Sequence, residues 1–289
     1  MIANFLKYLE FEKRSSLHTI HAYEEDLDQF NAFLKLTFEI TAFDEVKHVH
    51  LRNWVIELVD QGLSPATVNR KIACLKSFFK FLKGREFIDH NPSARLKPLK
   101  AEKRLPAFVK ENDLTYLIDH VQVDPEDFKG QRDRLIMDLL YGTGIRLSEL
   151  IGLKTADFDP YQKTIKVLGK RNKERVIPVP DSVVNTINSY IQKKALPSDH
   201  LLVTDSGKQL YPMFVYRTVK KYLSLVSTVA KKSPHVLRHT FATHLLDKGA
   251  DLNAVKDLLG HTSLAATQVY THNSLEKLKS AFDQAHPKA

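Results

Sequence analysis

The sequence predicts a mainly α protein with a small antiparallel β-sheet: an N-terminal helical domain followed by an α+β domain. Three observations carry that prediction. Apolar residues recur at helical spacing through residues 1–93 and again through most of the second half. One stretch, KTIKVLGKRNKERVIPVP, instead alternates apolar and polar residues on both sides of a polar turn. Between the halves lies ARLKPLKAEKRLP (94–106), with two prolines, many basic residues and no apolar period, which reads as a basic linker.

In chain order, residues 2–12 form a short amphipathic helix. Residues 17–35 follow RSSLHT, a capping signal, and put Ile20, Tyr23, Leu27, Phe30 and Leu34 on one stripe. A helix over 49–61 carries Leu51, Val55, Leu58 and Val59 and stops at Gly62. SPATVNRKIACLKSFFKFLKG offers Ser64 as N-cap, Pro65 in the first turn and Gly84 at the end. Val68, Ile72, Leu75, Phe79 and Leu82 line one side of it, with Asn69, Lys76, Lys80 and Lys83 together beside them. Those four, with Lys97 and Lys100 of the linker, are candidate contacts to a phosphate backbone. A solvated lysine face is the bland alternative.

The second domain covers residues 107–289. Helices are predicted over 111–121, 131–141 and 146–153, with GTG (142–144) as the break. The hairpin spans 163–180, with Ile165, Val167, Val176 and Val179 as its apolar positions around GKRNKE. Further helices fall at 181–194, 212–227, 235–248 and 251–259, then a short one within HTSLAATQVYTH. A last helix, 274–285, carries Leu275, Leu278 and Phe282 on one stripe.

Composition narrows the function. The chain has 289 residues, enough for about two domains, and at 43% hydrophobic it can fill two cores. Its 43 Lys+Arg against 34 Asp+Glu give a net charge of +9. That excess favours a polyanionic partner, nucleic acid first and an anionic membrane surface second. The lone cysteine, Cys74, excludes an intrachain disulfide framework and a cysteine-based zinc site, and its apolar surroundings make it a core residue. With no long apolar run and no signal-peptide pattern, the expectation is a soluble, cytoplasmic protein with no membrane partner.

Several chemistries lack their residues. There is no G-x-x-x-x-G-K-[ST] loop and no G-x-S-x-G elbow. His235 and His239 have the spacing of a zinc pair, but the glutamate of H-E-x-x-H is missing and Arg238 beside them would repel a metal ion. Asp157 and Asp159 resemble a nuclease carboxylate pair, yet TADFDPYQ reads as a turn. Four features remain. Arg146 opens a helix directly after a glycine-broken loop, where free N–H groups favour an anion. Lys170 sits at the hairpin tip. In SPHVLRHTFATHLL, His235 and Arg238 share a face beside Leu237, Phe241 and Leu245, with no carboxylate within a turn to meet the guanidinium. His261 follows Gly260, and Tyr270 comes nine residues later. Taken singly, each has a bland reading: an arginine capped by Glu149, a turn lysine, a core histidine, a half-buried aromatic.

In order and spacing, however, these residues resemble the tyrosine recombinase family, and most closely its Xer branch of site-specific recombinases. LYGTGIRLSELIGL, VLGKRNKERVIPVP, PHVLRHTFATHLLDKGADLNAVKDLLGH and TQVYTH carry the likeness in the second domain; TIHAYEEDLDQF and SPATVNRKIACLKSFFKFL resemble the family's N-terminal core-binding domain. The resemblance implies that Tyr270 attacks a DNA phosphorus, forms a 3′-phosphotyrosyl link and releases a 5′-hydroxyl. It implies that Arg146 and Arg238 hold the non-bridging oxygens, His235 helps the phenol lose its proton, His261 hydrogen-bonds the phosphorane and Lys170 protonates the departing oxygen. Neither a metal nor ATP is implied. Arg171 stands where the family usually has a glycine, and its Cβ favours a different turn; Arg171 and Lys173 are further candidate DNA contacts.

The implied partners are a double-stranded DNA recombination site, a homo- or hetero-tetramer formed with a related recombinase, and a cell-division DNA translocase. The last helix is expected to dock onto a neighbouring protomer. The implied role is chromosome dimer resolution at cell division, through a Holliday junction. Alternatives are an integrase or invertase of a mobile element, a non-catalytic architectural DNA-binding protein, and a type IB topoisomerase. Against these stand the lack of an extra arm-site domain, the presence of all six catalytic residue types, and the small helical N-terminal domain with its docking tail.

Overall fold

The computed structural model describes residues 1–100, 108–120, 127–169, 174–194, 197–229, 231–260, 282 and 285. It is mainly helical with one three-stranded antiparallel sheet, and it divides into two compact units, Met1–Arg104 and Leu105–Ala289.

The first unit holds α1 (Ile2–Lys7), a π-helical turn (Tyr8–Glu12), α2 (Leu17–Phe38), α3 (His48–Asp60) and α4 (Pro65–Gly84). Ser16 and Ser64 cap α2 and α4, accepting the N–H groups of Thr19 and Thr67, which would otherwise lack a helical partner. The core gathers Phe5, Leu27, Phe30, Leu51, Trp54, Ile72, Phe78 and Phe79. The buried face of α4 is wider than the predicted stripe, because Lys71, Cys74, Phe78 and Phe81 are buried as well. Val59, expected inside, is 45% exposed, and Trp54 takes its place. Lys71 is buried because Asp26 of α2 meets its ammonium at 2.7 Å, and Arg70 grips the same carboxylate with both Nη atoms. A buried charge survives only when paired in this way.

The segment after α4 departs from the expected free linker. Leu96 is buried in the first core and Leu99 packs against it. Asn69 donates through Nδ2 to the Leu99 carbonyl (2.9 Å) and accepts the Leu99 N–H at Oδ1 (2.7 Å). Two leucines among the lysines are enough to fasten residues 94–100 to the helical unit.

The second unit comprises α5 (Glu111–His120), α6 (Phe128–Thr143), α7 (Leu147–Gly152), a 3₁₀ turn (Thr155–Asp157), β1 (Phe158–Asp159), β2 (Thr164–Leu168), β3 (Glu174–Pro178), α8 (Asp181–Lys193), α9 (Pro212–Val226), α10 (Pro234–Asp247) and α11 (Leu252–Leu259). The strands run in the order β1-β2-β3, with Ile165 opposite Ile177 and Val167 opposite Arg175. Inward positions on β3 are therefore 175 and 177, continuing to Val179; Val176, expected to face inward, lies on the other face, half-buried. α6 packs between α8 and α10, and its last turn is buried on all sides.

Gly144 ends α6 at φ +62°, and a Cβ there would lie 2.4 Å from the Phe241 ring of α10. Gly144→Ala combines left-handed strain with overpacking, so it is expected to lower stability by about 2–4 kcal/mol, read from the urea midpoint.

Phe282 and Ala285 are buried at 1% and 2% in the core of this same unit, with Phe282 against Phe241 at 6.4 Å between ring centroids. Phe282 of the stripe expected to dock onto a neighbouring copy thus has a place within its own chain. Phe241 offers it an apolar wall within its own chain, and burial there removes the same apolar surface from water. Leu275 and Leu278 lie outside the described residues.

Candidate active site

α10 begins at Pro234, whose ring suits the first helical position. Leu237, Phe241 and Leu245 are buried at 0%, 1% and 0%, so the helix face predicted to be apolar is the one that packs. Arg238 lies at the edge of that face, 9% exposed, while His235, one turn earlier, is exposed. Among the described residues, no carboxylate hydrogen-bonds to Arg238. Its Nη1 donates to the Gly144 carbonyl and its Nη2 to the Leu259 carbonyl, each at 2.5 Å. Two carbonyls satisfy hydrogen bonds but leave the positive charge unneutralised.

Arg146 directly precedes α7. Its backbone N–H donates to Glu149 Oε2 (2.7 Å) and its Nη1 to Glu149 Oε1 (2.8 Å), so the anticipated cap by Glu149 is present. Nη2 reaches the Gly260 carbonyl at 2.9 Å, leaving the side chain 31% exposed. Glu149 does more than cap. Its carboxylate, 1% exposed, also takes a two-pronged grip from Arg175 of β3, Nη1 to Oε1 at 2.7 Å and Nη2 to Oε2 at 2.9 Å. Arg175 Nε then donates to the Leu258 carbonyl at 2.9 Å.

Three guanidinium groups thus converge on successive carbonyls at the C-terminus of α11: Arg175 on Leu258, Arg238 on Leu259 and Arg146 on Gly260. The last carbonyls of a helix have no intrahelical acceptor role to fill and carry partial negative charge, which is why cations collect there. Gly260, at φ +62°, turns the chain out of the helix directly into His261. Among the described residues, three guanidinium charges against one carboxylate leave the cluster with two unbalanced positive charges. The titrations follow from this. Burial lowers Arg238 to about 10, the charges of Arg146 and Arg175 lower it too, and Glu149 opposes them. Burial pushes Glu149 up, but the fork and charge of Arg175 and the donors of Arg146 outweigh it and hold the carboxyl at about 2.

The structure therefore joins Arg146 and Arg238 of the expected six. Lys170, His261 and Tyr270, with Arg171 and Lys173, lie outside the described residues. Arg175 was missed, although the period of two from Val179 through Ile177 points inward at residue 175. An inward arginine on a strand requires a buried acid, and Glu149 is that acid. Asp157 and Asp159 each use a carboxylate oxygen on nearby backbone N–H groups, of Lys154 and of Tyr161 and Gln162 respectively, although the stretch read as a turn also holds the short strand β1.

Among the candidate DNA contacts, Lys80, Lys83, Lys97 and Lys100 are exposed and Lys76 is half-buried. Asn69 is also engaged inside its own unit. Both ends of its amide are taken by Leu99, so it is a tether within the first unit.

Comparison with known proteins bears on the whole chain. Residues 107–277 match the phage integrase family, and residues 2–86 match the phage integrase N-terminal SAM-like domain. A protein of Staphylococcus carnosus named tyrosine recombinase XerC is 39% identical over 290 residues, spanning 99% of this chain and 97% of the relative. One of Chlorobaculum tepidum with the same name is 36% identical over 317 residues, spanning 100% and 94%. Among solved structures, the XerH site-specific recombinase bound to a palindromic difH substrate in a post-cleavage complex superimposes with a TM-score of 0.71 at 23% identity. That likeness covers 97% of this chain and 84% of the other, and it concerns the fold.

Proposed function

The chain belongs to the phage integrase family, on the Xer branch of its tyrosine recombinases, and from that premise we propose that Arg146, Lys170, His235, Arg238, His261 and Tyr270 carry site-specific DNA cleavage and rejoining. The observation that supports this most is the doubly positive arginine cluster at the end of α11, immediately before His261. A scissile phosphodiester brings one negative charge to a site that has two positive charges to spare.

In the proposed reaction the Tyr270 oxygen attacks phosphorus and its proton passes to His235. The bond to the 5′ oxygen breaks, and Lys170 protonates that oxygen as it leaves. Arg146 and Arg238 hold the two non-bridging oxygens, because a planar guanidinium presents paired donors. The phosphotyrosyl bond conserves the energy of the broken linkage, so a 5′-hydroxyl from another strand reverses the step and exchanges strands through a Holliday junction. On this reading the chain acts in the cytoplasm on a double-stranded recombination site as a homo- or hetero-tetramer, in chromosome dimer resolution. Full-length likeness to XerC-named relatives supports that role over one in a mobile element.

The test begins with a duplex selected by the chain itself from a randomised pool. A nick is placed just 3′ of the cleaved bond so that the released fragment diffuses away. Incubation with chelator present is expected to leave a protein–DNA species that survives denaturing gels. No such species on any selected duplex overturns the reading.

The exposed lysines of α4 serve binding on this view. Replacing Lys80 and Lys83 together by alanine is expected to weaken all duplexes alike and to reduce the slope of log affinity against log salt by about 2. An unchanged slope removes both from the interface.

A further inference from the structure

We infer that Arg175 is a positioning residue for strand cleavage: through Glu149 it sets Arg146, and through the Leu258 carbonyl it sets the end of α11 that leads into His261. The inference rests on the recombinase reading and adds to it a residue outside the six.

The geometry gives each of Arg175's three guanidinium nitrogens a partner. Its two terminal nitrogens take both oxygens of Glu149, and Nε takes Leu258. The same two carboxylate oxygens accept the backbone N–H and Nη1 of Arg146. Glu149 is therefore a bridge, with one arginine on each side. This has an electrostatic consequence. Left alone with Glu149, Arg146 would be neutralised by it, and a phosphate would have to compete with a buried carboxylate. Arg175 supplies a second positive charge to that carboxylate, so Arg146 keeps charge for another anion. A preorganised donor set of this kind works only when its support fixes it in advance of the reaction.

Position along the strand adds a second link. Arg175 pairs across the sheet with Val167 and stands five residues after Lys170. Strand β3, four residues past Lys170 at its start, is thereby bolted to Glu149 and to α11 by one side chain. Arg175 is only 6% exposed, so it acts from behind the arginines that reach the reacting phosphate. Its alternative role is a plain buried ion pair that holds the fold, and the two roles differ in whether its effect passes through Arg146.

A double-mutant cycle separates them, using full-length protein and the nicked, self-selected duplex at saturating concentration. Arg175→Ala is expected to slow adduct formation about 100-fold and Arg175→Lys, which keeps a charge but loses the fork, about tenfold, with affinity for the duplex within about threefold of wild type. In an Arg146→Lys background, either change is expected to cost about threefold or less, because residues acting through one another are not additive. Should Arg175→Ala fail to melt cooperatively, the Arg175→Lys cycle carries the test. Full multiplication of the two losses, or wild-type rates in both Arg175 variants, overturns the positioning role while leaving the recombinase reading intact. A wild-type chain that forms no adduct overturns both.

Discussion

Tyr270→Phe is expected to bind the selected duplex as tightly as wild type and to form no covalent adduct at any time of incubation. The effect is complete because, in the proposed reaction, the bond that forms is between phosphorus and the phenolic oxygen, and phenylalanine has no such atom. A phenol ordinarily loses its proton near pH 10, so at neutral pH it needs a base and a positive field. Among the described residues, Arg146, Arg175 and Arg238 against Glu149 supply such a field on the proposed reading, with Arg238 lowered to about 10 by burial and by its neighbours' charges. An arriving phosphate relieves that repulsion, which favours binding before chemistry, so affinity is expected to survive the loss of the hydroxyl. Denaturing gels of the nicked duplex make the measurement. An adduct in Tyr270→Phe as abundant as in wild type would assign the nucleophile to another side chain.

Glu149→Ala is expected to be the most damaging change among the described residues of the site. Removing one partner of a buried pair leaves Arg175, 6% exposed, without its carboxylate, and such losses cost about 3–5 kcal/mol. A glutamine there keeps the shape but not the charge, and the three guanidinium groups then face one another unopposed. Acid supplies an independent check. Glu149 sits at about 2 in the folded chain against an ordinary 4.5. A carboxyl lowered by folding contributes stability that is complete above its unfolded value and is lost as pH falls toward its folded one. That gap corresponds to about 3 kcal/mol. Wild type is expected to lose this component between about pH 4.5 and pH 2, and Glu149→Gln to lack it. Urea midpoints of the two proteins across that range give the comparison, and parallel curves would refute the assigned role of Glu149.

Much of the fold was legible because helices announce themselves locally. Ser16, Ser64 and Pro65 marked helix starts, and the stripe of Leu237, Phe241 and Leu245 marked the buried side of α10. Each of these is a relation among residues a few positions apart. What the sequence did not reveal was where a single residue answers to a distant one. Asn69 looked like one more polar neighbour of the α4 lysines, and a backbone thirty residues on had claimed it. Lys71 and Asp26, forty-five apart, are buried only because each has the other. Phe282 carried an apolar stripe that the sequence could not aim, and Phe241 of its own chain received it.

By itself, the sequence determined the helical class, the hairpin of β2 and β3 and the identities of the residues proposed for chemistry, since periodicity, capping and motif spacing are properties of the chain alone. Only the tertiary structure decided that Arg146 and Arg238 meet, that Glu149 belongs to two arginines and that Arg175 stands behind them. The reason is that a buried charge is tolerated only beside its partner, and those partners lie on α7, β3, α10 and the end of α11, elements that folding alone brings together.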